Sequence, residues 1–458
     1  ALAGALMLGA CSSSDDLKDG GATANVGKSY IAVNIKSVGT AGAGTRADYN
    51  QGGGTYEDGT ANEGAISKVR FFFFNSDGSA YIMKGTDVNF LELNASVSSA
   101  GEAGQLQTIE GKTTAMLVIE GNTKTAPAYM IAVVNPQTLS KLEKKAYRES
   151  QLRDEFTDQS FVKITTDGTG NKQYGDFVMS NSVYAENGAR VCASSVSGHV
   201  EGTSDAATKN PVDIYVERVV AKATTNVNTD KGWEQIASGA DNGKYKIKVG
   251  KINIDAEHEK DVYAVVQGWG LADENRTAEL EKQIDVTTNW TSTTLGIDPW
   301  TTPDYHRCFW SSSVPFTPSS GSNPIVNHAF SAFTTPFGTT PLYTCPNTPT
   351  YEEYNTKKIN EKPYDNTLTK VLVAAKLVYY DDDNNSHPAD ICKYRGIQIL
   401  GADNVLKQVA KDHSEYWTVD PNNASNHILL AYTDLVYTRI DFGSNTDKLK
   451  SYEVRPVL

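Results

Sequence analysis

The stretch SYIAVNIKSV, residues 29–38, alternates apolar and polar side chains along most of its length. Ile31, Val33 and Ile35 fall on one face, and this period of two predicts a half-buried β-strand. The opposite face carries Tyr30, Ala32, Asn34 and Lys36. Because one face is apolar and the other mixed, the strand is expected to cover a core with its isoleucine and valine side chains.

Both flanks of this strand have the composition of linkers. Residues 12–28 are rich in Ser, Asp, Gly and Asn, and residues 39–64 are rich in Gly and are interrupted by Arg46. Segments of this composition bury little apolar surface, so they are predicted to be flexible. A lone strand between two linkers is an unusual arrangement.

Further along the chain, short strands dominate the pattern. Val69–Phe74 contains four consecutive Phe and ends at the turn signal Asn75–Gly78. One window, Leu139–Phe156, has helical spacing, and the polar residues 226–243 suggest a domain junction. The other predicted strands are Met116–Glu120, Tyr129–Asn135, Val212–Lys222, Tyr245–Ile254, Val262–Trp269, Thr369–Tyr379 and Leu429–Ile440. The sequence therefore predicts an all-β fold of two β-sandwich domains in tandem, with a short decorating helix.

Composition excludes several classes of partner. The chain has 458 residues, with 42 basic and 55 acidic side chains and a net charge of -13. A negative chain is a poor match for nucleic acid or anionic lipid, since both are polyanions. There is no run of 18 apolar residues to span a membrane as a helix, and five cysteines in so long a chain do not make a disulfide framework.

The N-terminal residues indicate export. Residues 1–10 are apolar and end in Leu8-Gly9-Ala10, directly before Cys11. Small residues before a Cys at the end of an apolar segment resemble the lipobox of bacterial lipoprotein signal peptides. We therefore expect residues 1–10 to be part of a signal peptide and Cys11 to carry the lipid. The alternative is an apolar tail with a chance Cys.

Catalytic and metal-binding motifs are not found in the sequence. Residues 381–385 begin like a calcium loop, but Ser386 and Cys392 replace the Gly and Glu that such a loop requires. An acidic hairpin tip is the favoured interpretation. The seven His have no metal spacing, and His306 near Cys308 lacks an orienting acid. We predict no enzyme activity, no cofactor and no metal.

The remaining cysteines leave their pairing open. Once Cys11 is assigned to the lipid, four cysteines belong to the folded part, and they could form up to two disulfides in an exported protein. They are Cys192, Cys308, Cys345 and Cys392.

Several segments, in their order along the chain, resemble the Bacteroidota type V fimbrillins, and within that family the shaft subunits of minor fimbriae. The most informative is Lys28–Val38 followed by Thr45-Arg46-Ala47-Asp48. The other similar segments are Ile66–Asn75, Val216–Lys222, Val266–Leu271 with Asn275-Arg276, and Asn366–Leu377. Together with the lipobox, these matches extend over nearly the whole chain.

The resemblance implies two transthyretin-like domains, over residues 47–228 and 229–458, after a tether and removable segment over residues 11–46. It implies a lipoprotein precursor at the outer membrane that a protease cuts between Arg46 and Ala47. The cut frees the strand that carries Ile31, Val33 and Ile35, and assembly then proceeds by donor-strand exchange. The implied partners are copies of the chain, other fimbrial subunits, the protease, and surface ligands of host or bacteria.

One departure from the family keeps alternatives open. No clear donor strand follows the strand-like residues Leu435–Phe442, so we expect the sequence to be a fragment whose donor lies beyond Leu458. Otherwise the chain could be a fimbrial tip or anchor component. A surface lipoprotein that binds glycans or host proteins through an exposed aromatic such as Trp300 or Trp310 is a further alternative. A hydrolase using His306 is the weakest. The sequence does not identify the adhesion ligand or the protease.

Overall fold

The computed structural model shows an all-β protein. The residues that it describes are 28–37, 60–95, 106–109, 112–120, 126–154, 156, 160–168, 172–181, 184–186, 189–225, 227, 232–272, 276–285, 305–310, 335–338, 340–345, 370–388, 391–394, 397–400, 427–434, 437–442 and 449–453. Within these ranges strands dominate and helix is confined to short segments, which confirms the predicted fold class. No helix among them is long and apolar enough to cross a membrane.

The elements are short and follow one another closely. The strands of the first half are β1 (Lys28–Ser37), β2 (Lys68–Phe74), β3 (Phe90–Asn94), β4 (Leu106–Ile109), β5 (Lys112–Glu120), β6 (Tyr129–Val134), β7 (Lys163–Thr166), β8 (Lys172–Gly175), β9 (Met179–Asn181), β10 (Tyr184–Glu186), β11 (Ala189–Val191), β12 (Ser194–Ser195), β13 (Val212–Arg218) and β14 (Ala221–Ala223). The later strands are β15 (Trp233–Gln235), β16 (Tyr245–Asn253), β17 (Glu259–Ala272), β18 (Gln283–Asp285), β19 (Tyr305–Phe309), β20 (Leu342–Thr344), β21 (Lys370–Tyr380), β22 (Ser386–Pro388), β23 (Ile391–Tyr394), β24 (Ile397–Leu400), β25 (His427–Asp434), β26 (Tyr437–Phe442) and β27 (Leu449–Glu453). The α-helices are α1 (Glu149–Leu152) and α2 (Ser204–Lys209), and a 3₁₀ turn covers Pro136–Thr138.

The chain divides into two compact units, and the first of them is discontinuous in sequence. Unit 1 comprises Ala1–Val220, Thr277–Ser311 and Thr438–Tyr452. Unit 2 comprises Ala221–Arg276, Ser312–Tyr437 and Glu453–Leu458. The chain therefore leaves unit 1 after β13 and returns to it at Thr277.

Unit 1 is built on one large sheet with β1 inside it. The strand order is β3-β2-β6-β9-β13-β1-β5-β4, with β12 paired to β6. In the described sheet β1 runs parallel to β13, and the other neighbours along this order are antiparallel. A bridge between Ala95 and Leu106 joins the ends of β3 and β4, so the sheet folds back around its core.

Every strand of this order contributes side chains to one apolar core. The Phe-rich strand β2 is buried on both faces: Phe71 and Phe73 lie in this core, whereas Phe72 packs against Phe90 and Tyr147 at ring-centroid distances of 5.5 and 5.7 Å. Burial on both faces explains why four consecutive Phe form one strand instead of an alternating pattern.

The predicted helix over Leu139–Phe156 is largely wrong, because among the described residues of this range only α1 is α-helical. The segment makes isolated local turns, and some of its backbone groups bond to tertiary partners. Arg70 Nη1 donates to the Leu142 carbonyl at 3.1 Å, and the Tyr147 N–H donates to Asn89 Oδ1 at 2.9 Å. The segment is an irregular layer over the outer face of β2.

Two predicted long strands are each divided. The predicted strand Val212–Lys222 is β13 and β14, since the Val219 N–H turns away to donate to the Val178 carbonyl at 3.0 Å. The predicted strand Leu429–Ile440 is β25 and β26, which belong to different sheets.

Unit 2 has its own sheet, in the order β15-β16-β17-β21-β22, with β25 paired to β21. The strands β17 and β21 are its longest, and Val262, Ala264 and Ala375 are fully buried on one face. Trp269 is also fully buried, and its indole N–H donates to the Pro336 carbonyl at 3.1 Å.

Candidate functional site

The strand β1 lies between β13 and β5. We call the groove that it fills, with β13 and β5 as its two walls, the β1 seat. On the β13 side Val33 pairs with Val212, and on the β5 side Ile31 pairs with Leu117. Near its beginning, Tyr30 exchanges two backbone hydrogen bonds with Glu201, at 2.8 and 2.9 Å. Both edges of β1 are thus hydrogen-bonded, and the alternation read from the sequence corresponds to an interior strand.

Three apolar side chains fill the core side of the seat. Ile31 and Val33 are fully buried and Ile35 is 4 % exposed. Burying a side chain of this size stabilises the folded state by about 1.5–3 kcal/mol. Together the three contribute about 5–9 kcal/mol in addition to the backbone hydrogen bonds.

The outward face of β1 is less deeply covered. Ala32 is 8 % exposed, whereas Tyr30 and Asn34 are half-buried. The Asn34 side-chain amide donates to Asp213 Oδ1 on β13 at 2.8 Å. Helix α2 lies beside β1. This face therefore adds a polar contact to the apolar ones.

Without β1 the sheet of unit 1 would separate into two parts. The strand order would become β3-β2-β6-β9-β13 on one side and β5-β4 on the other. In the described residues, the bridge between Ala95 and Leu106 is then the remaining strand pairing between the parts. The gap would present two unpaired strand edges beside an apolar groove, which is the geometry that accepts an added strand.

The β13 side of the seat is supported from outside by Thr277–Gln283, which returns from unit 2 in sequence. The Lys282 ammonium is fully buried and forms an ion pair with Glu217 of β13. The Ser180 hydroxyl of β9 donates to the Leu280 carbonyl at 2.5 Å. Glu217 and Ser180 are directly opposite each other in the sheet, so this segment holds β9 and β13 together.

A further buried carboxyl of this segment, Glu281, pairs with the exposed Arg153. Arg153 Nη2 lies 2.8 Å from Glu281 Oε1. Burial raises the pKa of the Glu281 carboxyl to about 7, although Arg153 opposes this shift. Burial also raises the pKa of the Cys192 thiol, and the Lys282 ammonium lies 5.0 Å from the centre of the Trp310 ring. Sequence reasoning missed this cluster because a run containing Glu279, Glu281 and Lys282 is normally solvent-exposed.

The connection that follows β1, residues 38–59, is long compared with the separation of the contacts that the described residues on its two sides make with β13. Ser37 at the end of β1 pairs with Val216, and Arg218, two residues further along β13, donates to the Glu63 carbonyl at 3.5 Å. Ser37 and Glu63, the described residues on the two sides of residues 38–59, thus both lie near the C-terminal end of β13. These 22 residues could span about 75 Å when extended, whereas two residues of a strand span about 7 Å.

The predicted processing residues Arg46 and Ala47 belong to this connection and lie outside the described residues. The predicted lipidation residue Cys11 also lies outside them, as does Trp300.

Trp310 does not fit the alternative of an exposed ligand-binding aromatic. Its side chain is 1 % exposed, because it is packed beneath Lys282 in unit 1. That interpretation of Trp310 is therefore wrong.

The acidic segment Asp381–Asn385 forms the tip of the hairpin between β21 and β22, as predicted. Asp381 Oδ1 accepts the backbone N–H groups of Asp383 and Asn385 at 3.0 and 2.7 Å. The His387 side chain bonds to the same carboxylate, and this contact lowers the pKa of Asp381 to about 2. The Asp381 carboxylate thus accepts hydrogen bonds from the loop that follows it.

The other described histidines and cysteines have local structural contacts. His199 bonds to the Asn210 carbonyl at 3.1 Å, and His258 contacts Asp255 at 2.8 Å. Cys192 and Cys345 are both buried. In the described part of the chain, no three His, Cys, Asp or Glu side chains are grouped closely enough to hold a metal ion. The side chains of His306, Cys308 and Cys392 are not among those described.

No protein-family model matches the chain, and no curated protein matches it.

Proposed function

We propose that this protein is a structural subunit of a cell-surface fimbria, with two transthyretin-like sandwich domains in tandem. The precursor is a lipoprotein anchored through Cys11, a protease cuts it between Arg46 and Ala47, and the subunits polymerise by donor-strand exchange. The observation that carries the proposal is the position of β1: it is an interior strand followed by a 22-residue connection, and Ser37 before that connection and Glu63 after it both lie near the C-terminal end of β13.

The cut changes how strongly β1 is retained. While β1 is covalently attached, its effective concentration at the seat is high, so the strand returns after every transient opening. After cleavage only non-covalent contacts hold it, including the burial of Ile31, Val33 and Ile35. A competing strand can then take the seat, and cleavage acts as a release for assembly.

A second copy of the chain supplies the incoming strand. Such a strand restores the backbone hydrogen bonds of β13 and β5 and refills the apolar groove. Because the contact joins different surfaces of two subunits, it leaves free ends and continues as a filament. Adhesion and biofilm formation, with other fimbrial subunits and surface ligands as partners, follow from a filament of this kind.

Controlled proteolysis of the precursor tests this proposal. Trypsin should produce a new N-terminus at Ala47, and the cut protein should form oligomers that are visible by size-exclusion chromatography and electron microscopy. The variant Arg46→Gln should stay monomeric, whereas Arg46→Lys, which keeps a trypsin site, should still assemble. A protein that is cleanly cut at Ala47 and remains monomeric would contradict the proposal.

A further inference from the structure

We propose that Asp213 is a specificity-determining residue of the β1 seat. It favours a strand that places a hydrogen-bond donor beside it and disfavours one that places a carboxylate there. This inference rests on the proposed strand exchange and goes beyond it, because it states which strands the seat accepts.

A polar contact joins β1 and β13 on the outward face of the sheet. Asp213 and Asn34 are paired in the parallel register of β13 and β1, and both point away from the core. The Asn34 Nδ2 to Asp213 Oδ1 distance is 2.8 Å, which is a good hydrogen bond to a charged acceptor. Asp213 is exposed and Asn34 is half-buried, so the pair lies at the rim of the seat.

The apolar side chains alone give little selection between strands. Alternating apolar residues like Ile31, Val33 and Ile35 occur in many half-buried strands. Such strands all match the groove to a similar degree. A fixed carboxylate beside the groove adds a requirement that alternation does not provide.

The opposite chemistry at this position is unfavourable for two reasons. An incoming Asp or Glu in place of Asn34 cannot donate, so the hydrogen bond to Asp213 is lost. The two carboxylates would also repel each other at close range. Selection here therefore combines an attractive contact with a repulsive one.

Peptide uptake by the full chain tests the inference. The chain carries a site-specific protease sequence inserted within residues 38–59 and is cut there before the experiment. It is then incubated with an excess of fluorescent peptide with the sequence of residues 28–37, or with the same peptide carrying Asn34→Asp. Uptake is measured by anisotropy of the size-exclusion peak, with the Asp213→Asn chain and, as a matched control at an exposed carboxylate, the Asp154→Asn chain.

The expected result is uptake of the natural peptide and about tenfold weaker uptake of the Asn34→Asp peptide. Asp213→Asn should remove most of this difference, and Asp154→Asn should leave it unchanged. Equal uptake of both peptides by the natural chain would overturn the role of Asp213 and leave strand exchange standing. If neither peptide is taken up, the proposed strand exchange is wrong, and the selection fails with it.

Discussion

The two strands that flank β1 have different support. The strand β13 is paired with β9 on its other side, and Glu217 on its outer face contacts the buried Lys282. The strand β5 is paired with β4, and on its outer face Thr114 is exposed while Met116 and Val118 are half-buried. The β13 wall of the seat is thus held both by a neighbouring strand and by a buried ion pair, whereas the β5 wall belongs to a hairpin.

This difference indicates how the groove would behave once β1 is absent. Secondary structure with few buried contacts opens locally at a lower free energy than the rest of a domain. The β4–β5 hairpin contributes Leu106 and Leu117 to the core, but without β1 its strand pairing to the rest of the described sheet is reduced to the bridge between Ala95 and Leu106, whereas β13 remains in a five-strand sheet. We expect β13 to persist as the template and β5 to depend on the occupant of the seat.

The largest effect on amide hydrogen exchange is expected from a substitution that displaces β1 from between β13 and β5. Val33→Asp places a carboxylate at a fully buried position, which costs several kcal/mol. Amide hydrogen exchange of residues 112–120 should rise by orders of magnitude, and that of residues 212–218 should rise much less. Lys28→Gln, at an exposed position of the same strand, adds no like charge opposite Glu120, so it is the control and should leave both unchanged. Equal rises in β5 and β13 would show that the two walls are equally supported.

Breaking the outer support of β13 is the next test. Lys282→Met leaves Glu217 buried without its cation, and loss of one partner of a buried ion pair costs about 3–5 kcal/mol. Chemical denaturation followed by tryptophan fluorescence measures the change in the free energy of unfolding. Lys251→Met removes an exposed ion pair with Glu259 and should cost less than about 1 kcal/mol. The double variant Lys282→Met with Glu217→Leu should recover much of the loss. If Lys282→Met costs no more than Lys251→Met, the support assigned to Lys282 is wrong.

Glu281 belongs to the segment that supports β13, and its ionisation makes the free energy of unfolding depend on pH. Its pKa in the folded protein is about 7, above the ordinary 4.5, so the folded state binds the proton more tightly. The folded protein therefore loses stability as pH rises from about 5 to 7, by about 3 kcal/mol in the limit of full burial. Glu281→Gln cannot ionise, and its free energy of unfolding should fall less over this interval. Parallel pH profiles for the two proteins would contradict the raised pKa.

The smallest effect on stability is expected from removing one side-chain hydroxyl on each side of the seat, at Ser180 of β9 and at Thr114 of β5. Ser180→Ala removes the buried hydrogen bond to the Leu280 carbonyl and should cost about 1 kcal/mol. Thr114→Val on the exposed face of β5 keeps the branched shape and should change stability by less than about 0.5 kcal/mol. Thermal unfolding of both variants measures the difference. A larger cost at Thr114 would reverse the comparison.

Local patterns in the sequence were sufficient to predict several strands. The alternation in Lys28–Ser37 and the Phe run before Asn75 both mark real strands, since each depends on residues close together in the chain. The partners of β1 could not be predicted in this way. Asn34 and Asp213 are 179 residues apart, and no local pattern encodes that pairing.

The failures have tertiary causes. Leu139 and Leu142 have helical spacing, but the Leu142 carbonyl accepts from Arg70 and the Tyr147 N–H donates to Asn89, so tertiary contacts interrupt the helical pattern. The short helix α2 was missed although Thr203 caps it, with the Thr203 hydroxyl accepting the Ala206 N–H at 3.3 Å. A capping residue was the available signal, and the helix is too short for periodicity to show.

The discontinuity of unit 1 has a consequence for how the protein is made. A chain that emerges from the ribosome N-terminus first completes β13 before Thr277–Gln283 has appeared. Until then Glu217 and Ser180 face water, and the first unit lacks part of its outer cover. Maturation of the first unit is therefore tied to synthesis of the start of the second, which delays the finished seat during biogenesis.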